Sequence, residues 1–535
     1  MKRFAQLIAM LLCLAMVLTA CGGDGNNSSG STTTDGSQSA TSGDASGSTA
    51  DNTSAGKADK NSLVYAVAAE PGKLDPQNNA ILPGMMIEKQ IYDSLIVKNA
   101  ETGEFEPGLA TAWEWTDNTH LKLTLREGVK WHDGSDFTSA DVVYTVGRFA
   151  TGASTSSLYI AFDAENTVAN GDYEVTIAFK YEFAPALNFL AHARAYIVNA
   201  NYTETNGQQH LEQNPMGTGA FKFVEWVIGS HVTMVRNDEY WGTAPSYENL
   251  TVRFITDDTA RMVALETGEV DIVSEIQSED IQRAVNGEIE GVVGYTTPSY
   301  KVWFLAFNES FEPFQKKEVR LAMAHAVDWE AACEVAGGMT VEAAQSCLAS
   351  TIFGYEPQGI YEYDPELSKQ LLAEAGYADG FEMTCVEEEI PVAIRMLETI
   401  QAYFAEVGIT MNIESVDTAT WNETRTKGNA EMTVGNMTAM TGDPMHTLSG
   451  TVVTSANVID KVTDEHYNDL YEKGASEMDE AARLEIYKEL QQYTYENAFQ
   501  IPMYQQVITY GVRDYVENFI PDAGLQLDCR IITIK

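Results

Sequence analysis

Residues 300–308 read Tyr-Lys-Val-Trp-Phe-Leu-Ala-Phe-Asn. This aromatic and apolar run has no helix-capping residue inside it, which predicts an extended and mostly buried strand. Glu312-Pro313-Phe314 breaks the run, because proline cannot donate to a sheet ladder. Beyond it, Val319, Ala322, Met323, Ala326 and Val327 recur at helical spacing and predict an amphipathic helix. Strand, proline break and helix in this order mark an α/β chain.

The pattern continues on both sides. Residues 63–68 predict a strand, 73–76 (Lys-Leu-Asp-Pro) a turn, and 85–95 a helix with Met86, Ile87, Ile91 and Leu95 inward. Trp113 and Trp115, a turn at Asp117-Asn118, and 121–125 alternate with period two and predict a hairpin. Thr138 stands three residues before Asp141, a variant of the capping box that opens a helix. His132 and Asp133, just before it, are expected to shape a turn. Residues 173–179, 221–227, 232–236, 270–273 and 409–416 predict strands. Helices are predicted at 184–193, 261–267, 394–407, 467–475 and 480–496, and from Asp364-Pro365 to Gly376, with Asp as cap and Pro in the first turn. Two more apolar stretches, 500–504 and 507–512, return the chain towards its first half. No internal repeat is found.

A chain of 535 residues is too long for one core and predicts two or three domains. Its 78 acidic against 33 basic residues exclude nucleic acid as a partner, since phosphate binding needs a basic surface. The excess is read mainly as solubility, and more weakly as an attraction for cationic ligands. Lys2 and Arg3 precede the apolar run 4–18, which is too short to span a membrane comfortably. Leu18-Thr-Ala-Cys21 follows, so 1–20 is expected to be a signal peptide. Residues 21–60 are Ser, Thr, Gly, Asp and Asn with almost no apolar residue. They are predicted to be a flexible tether with a reach of roughly 35 Å. Cys333, Cys347, Cys385 and Cys529 remain; Cys333 with Cys347 is the most local possible disulfide, and no zinc spacing occurs.

Several motifs carry a resemblance: Leu18-Thr-Ala-Cys21, the run 107–149, Asn214-Pro-Met-Gly-Thr-Gly-Ala-Phe221, Asn237-Asp-Glu-Tyr-Trp241, and the order Phe-Leu-Ala-Phe-Asn, Pro-Phe, Val-Arg-x-Ala, Ala-Val-Asp in 300–330. The first resembles the lipobox of bacterial lipoproteins and implies lipidation at Cys21. The others resemble the extracytoplasmic dipeptide- and oligopeptide-binding proteins of ABC importers, family 5 of the bacterial solute-binding proteins, over about 63–535. That resemblance implies an α/β, two-lobed periplasmic-binding-protein-like fold of the type II, large peptide-binding class with an inserted third subdomain. Lobe I would comprise 61–103, 214–305 and 509–535, the subdomain 104–213, and lobe II 306–508. It further implies a peptide ligand, ABC permease subunits as partners, a monomer lipid-anchored on the outer face of the cell membrane, and no cofactor or metal.

In that family an extended peptide pairs its backbone with strand segments between the lobes. The corresponding segments are 80–82, including Leu82, and 437–441. The segment Met440-Thr441-Gly442-Asp443-Pro444 resembles the family's Trp-Thr-Gly-Asp segment, whose aspartate holds the peptide's α-amino group. That role is carried to Asp443, with Met440 departing from the pattern. The competing reading is that Asp443 supports an Asp-Pro turn. Trp421, Trp303 and Tyr504 are candidate cleft aromatics, each equally a core candidate.

Catalysis finds no support. No Gly-x-Ser-x-Gly, His-Glu-x-x-His or Ser-x-x-Lys occurs in a suitable context, and His325 reads as a satisfied helix histidine. The glycines of 214–221 lack the Lys-Ser/Thr ending of a phosphate loop. Fold does not choose the cargo. Nickel, haem, glutathione or a sugar, or a peptide read as a signal, stay open, the first two because Met437, Met440, Met445 and His446 share one loop.

Overall fold

The computed structural model describes residues 61–79, 81–99 and 102–535. Residues 1–20 and Cys21, the expected signal peptide and lipidation site, lie outside the described residues, as do the tether 21–60 and Ala80.

Two long strands, Val292–Phe307 and Gln500–Arg513, pair antiparallel and form the middle of an 11-stranded sheet. On one side follow Met432–Thr438, Phe381–Glu388 and Ile409–Val416. On the other follow Ile272–Ser274, Ser62–Val67, Asn249–Phe254, His231–Arg236 and Phe221–Val227, and the eleventh strand, Val341–Ala343, pairs with Gln500–Arg513 off this path. The ladder of the long pair slips between Pro298 and Val302 and again between Trp303 and Phe304. Pro298 has no N–H to offer, so a proline in a central strand falls at an irregularity.

The predicted strand at 300–308 therefore begins eight residues early, at Val292, because its partner 500–513 is one continuous strand and not two. Side chains alternate along it as the pleat requires. Trp303, Leu305 and Phe307 enter one core with Phe314, Val319, Met323 and Phe404. Val302, Phe304 and Ala306 enter another, with Leu448, Tyr467 and Tyr487. Helices Lys317–His325, Trp329–Ala336 and Pro391–Glu406 supply buried residues to the first core. A third core joins Leu63, Tyr65, Ile87, Tyr247 and Tyr510.

The proposed Cys333–Cys347 disulfide is absent, and both thiols are free, as are Cys385 and Cys529. Cys333 packs in the core on one face of the sheet and Cys347 in the core on the other, so the strands themselves separate the pair.

A separate antiparallel sheet, in the order Ala110–Asp117, His120–Leu125, Glu174–Phe179, Phe162–Ala169, has its own core around Trp131, Phe149, Tyr159 and Phe162. Helix Ser139–Thr151 covers it and is capped as expected, the Asp141 carboxylate accepting the Thr138 N–H at 3.0 Å. His132 and Asp133 do shape a turn: Asp133 accepts the Ser135 N–H, and His132 bonds the Gly219 carbonyl.

The return from this sheet passes Gly217 and Gly219, which lie directly against the backbone of Ile91. A Cβ on Gly217 would stand 2.0 Å from the Ile91 oxygen. This close approach is what the glycines of the segment serve.

Candidate functional site

The principal cavity, about 410 Å³, is walled by segments far apart in sequence. Its volume lies within the range of small-molecule sites, about 300–1,000 Å³. One wall is the turn Met440-Thr441-Gly442, leaving the strand Met432–Thr438. Gly442 has φ +71°, a conformation that favours glycine. After it, Asp443 caps the short helix Pro444–Leu448 by accepting the Met445 N–H at 2.9 Å, with Pro444 in the first turn.

Asp443 does not line the cavity; it is fully buried just behind this wall. Its Oδ1 also accepts from Arg483 Nη2 at 2.8 Å, while Oδ2 has no partner. The carboxylate expected to be open to a ligand thus already holds an internal cation. The turn reading of this residue describes its geometry, and the ion pair adds to it.

Lys98 ends the strand Ile96–Lys98, which pairs with Phe105–Pro107. Its ammonium reaches the Gly442 carbonyl at 3.5 Å. Burial lowers the pKa of Lys98, and the Asp443 carboxylate pulls it back up. Asn188 donates to the carbonyls of Thr441 and Gly442 at 3.1 and 3.3 Å. One turn on, His192 accepts the Arg194 N–H on Nδ1, and its Nε2 has no partner. Burial holds this imidazole neutral, its pKa down at about 3, and His446 is likewise held at about 4.

The facing wall is a closed polar cluster. Asp93 accepts from Thr218 and Trp241 on Oδ2, both at 2.8 Å, and from Tyr240 on Oδ1 at 3.1 Å. Burial raises its pKa against these donors. Arg530 donates to Asp528 at 2.7 Å and, although burial opposes its charge, the carboxylates of Asp528 and Asp93 keep it a cation.

Of the residues singled out in the sequence, Met440, Thr441 and Gly442 line this cavity. Trp303 and Tyr504 stack at 5.7 Å and line a different cavity, of about 230 Å³, beside the long strand pair. Trp421 is buried under the Arg425 guanidinium, 4.3 Å from its ring, and lines neither cavity. Leu82 opens the helix Leu82–Ile91 and packs on the third core. Lys98, Asn188, His192, Asp93 and Arg530 were missed. The motif Asn237-Asp-Glu-Tyr-Trp241 was the available signal for one of them, since Tyr240 and Trp241 exist here to hold Asp93. The others carry no local signal.

The model of bacterial extracellular solute-binding proteins, family 5 (Middle), matches residues 104–457. The dipeptide-binding protein of Escherichia coli is 25% identical over 86% of this chain and 92% of its own. Heme-binding protein A of Haemophilus influenzae is 26% identical over 87% and 92%. Among solved structures, HbpA2 from Haemophilus parasuis superposes with a TM-score of 0.80 at 23% identity, covering 89% of this chain and all of that one. The periplasmic binding protein DppA from Helicobacter pylori, in complex with the peptide STSA, gives 0.74 at 23%, covering 88% and 98%. These likenesses establish the large two-lobed α/β fold of periplasmic binding proteins.

Proposed function

Because the chain belongs to the bacterial extracellular solute-binding proteins of family 5, we propose that it captures di- and oligopeptides outside the cytoplasm and delivers them to an ABC importer. It would do so as a monomer anchored through Cys21, with the lobes divided at 61–103, 214–305 and 509–535 against 306–508, and 104–213 inserted.

One observation carries the peptide reading. Among the described residues, no hydrogen bond reaches the backbone N–H or C=O of Met440, in the wall of the principal cavity. A free N–H and C=O at the end of a strand is what an extended peptide pairs with, independently of its side chains. The peptide-binding relatives in Escherichia coli and Helicobacter pylori support the same reading. A calorimetric screen of mixed di- to hexapeptides tests it; binding of at least one length is expected, and binding of none removes it. Scattering with the bound peptide should show compaction as the lobes close.

A haem cargo is the second reading, favoured by the likeness to heme-binding protein A and by the neutral imidazole of His192, which lines the same cavity as Met440. Titration with haemin, followed by its absorption band, separates the two.

A further inference from the structure

The wall at Met440–Gly442 is short of acceptors. Asp443, the carboxylate just behind it, is held by Arg483 on Oδ1 at 2.8 Å, and its Oδ2 makes no hydrogen bond to Lys98. Lys98, packed so closely that a Cβ on Gly442 would stand 2.6 Å from its nitrogen, has only the Gly442 carbonyl at 3.5 Å as a hydrogen-bond acceptor among the described residues. That carbonyl is shared with Asn188 and with the Phe353 N–H. His192 adds an independent observation. Its Nδ1 accepts the Arg194 N–H, so in the neutral ring the proton sits on Nε2. Nε2–H is then a donor without an acceptor on a side chain only 5% exposed that lines the cavity. A buried donor left unpaired is costly, and a buried ammonium more so.

We infer that this wall is the receptor for a carboxylate group of the cargo, held by the Lys98 ammonium and the His192 Nε2–H, and that the cargo's amino group is not what Asp443 recognises. This deepens the peptide reading and rests on it. It assigns the anionic end of the peptide, or an acidic side chain, to the Lys98 side of the cavity. Lysine and imidazole donors reach a carboxylate by charge-assisted bonds, the strong class of protein hydrogen bond. Asp443 and Arg483 would act behind the wall as positioning residues, keeping the turn in place.

The test is calorimetry on the full chain with trialanine, N-acetyl-trialanine, trialanine amide and Ala-Glu-Ala amide, using wild type, Lys98→Met and Lys98→Arg. Amidation should weaken wild-type binding about tenfold, N-acetylation less than threefold. Lys98→Met should bind free and amidated trialanine alike, and Lys98→Arg should restore the preference, which guards against a folding defect. If Ala-Glu-Ala amide regains the lost affinity, an acidic side chain is the carboxylate; if not, it is the chain terminus. Amidated trialanine binding wild type as tightly as both the free acid and Ala-Glu-Ala amide overturns the inference while leaving the peptide reading intact. Should no peptide of any length bind, the peptide reading falls and glutarate decides the rest. Thermal stabilisation of wild type and Lys98→Arg but not of Lys98→Met would uphold the carboxylate receptor, and any other pattern would overturn it.

Discussion

Arg483 Nη2 lies 2.8 Å from Asp443 Oδ1, with the arginine side chain 6% and the aspartate 0% exposed. The pair joins helix Glu480–Asn497 to the turn that walls the cavity. Removing one partner strands a buried charge, which costs more than the pair contributes. Asp443→Ala should therefore lower unfolding stability by about 3–5 kcal/mol in denaturant titration. The double variant Asp443→Ala/Arg483→Met should recover part of that loss. An Asp443→Ala protein of unchanged stability would place the carboxylate elsewhere.

Glu387 is fully buried, with neither carboxyl oxygen partnered. Burial, helped by neighbouring Glu388, pushes its pKa up to about 9 from 4.5. Its folded pKa is raised, so the stability it contributes is present below pH 4.5 and lost as pH rises towards 9. Between pH 4.5 and 7 the loss is about 3 kcal/mol. Glu387→Gln should raise the melting temperature at pH 8 and flatten its decline from pH 5 to 9.

His192 titrates in the opposite sense. Burial depresses its folded pKa to about 3 from 6.5, so the unfolded chain binds the extra proton first. Its contribution is intact above pH 6.5 and erodes on acidification at about 1.4 kcal/mol per pH unit. Denaturant curves at pH 6.5 and 5, compared between wild type and His192→Gln, should show a smaller acid loss in the variant.

Gly217 admits no side chain, since its Cβ would fall 2.0 Å from the Ile91 oxygen and 2.9 Å from the Tyr92 ring. Gly217→Ala should cost about 1–3 kcal/mol through backbone displacement. By moving Ile91 and Tyr92 it should also disturb Asp93 on the cavity wall and weaken ligand binding. Full affinity in a folded Gly217→Ala protein would show that this wall does not bear on the cargo.

All four described thiols are buried and unpaired. Dithiothreitol should leave the melting temperature unchanged, and a thiol reagent should titrate Cys333, Cys347, Cys385 and Cys529 only after denaturation.

By itself the sequence determined what depends on neighbours a few residues away: the Thr138 and Asp364 caps, the glycine stops, the apolar strand at 300–308, and the order of motifs that identifies the family. Those are set by local dihedral and periodicity constraints, which a linear pattern records. Tertiary structure decided what depends on long-range closure. It fused 500–504 and 507–512 into one strand, because 292–307 supplied the partner. It placed Trp303 and Tyr504 away from the turn at 440–442, and neutralised Asp443 from a helix 40 residues on. It brought Lys98 against Gly442 across 344 positions of chain. An isolated lysine in a short strand looks like any solvated lysine. Only packing removes its water and leaves it in need of an anion.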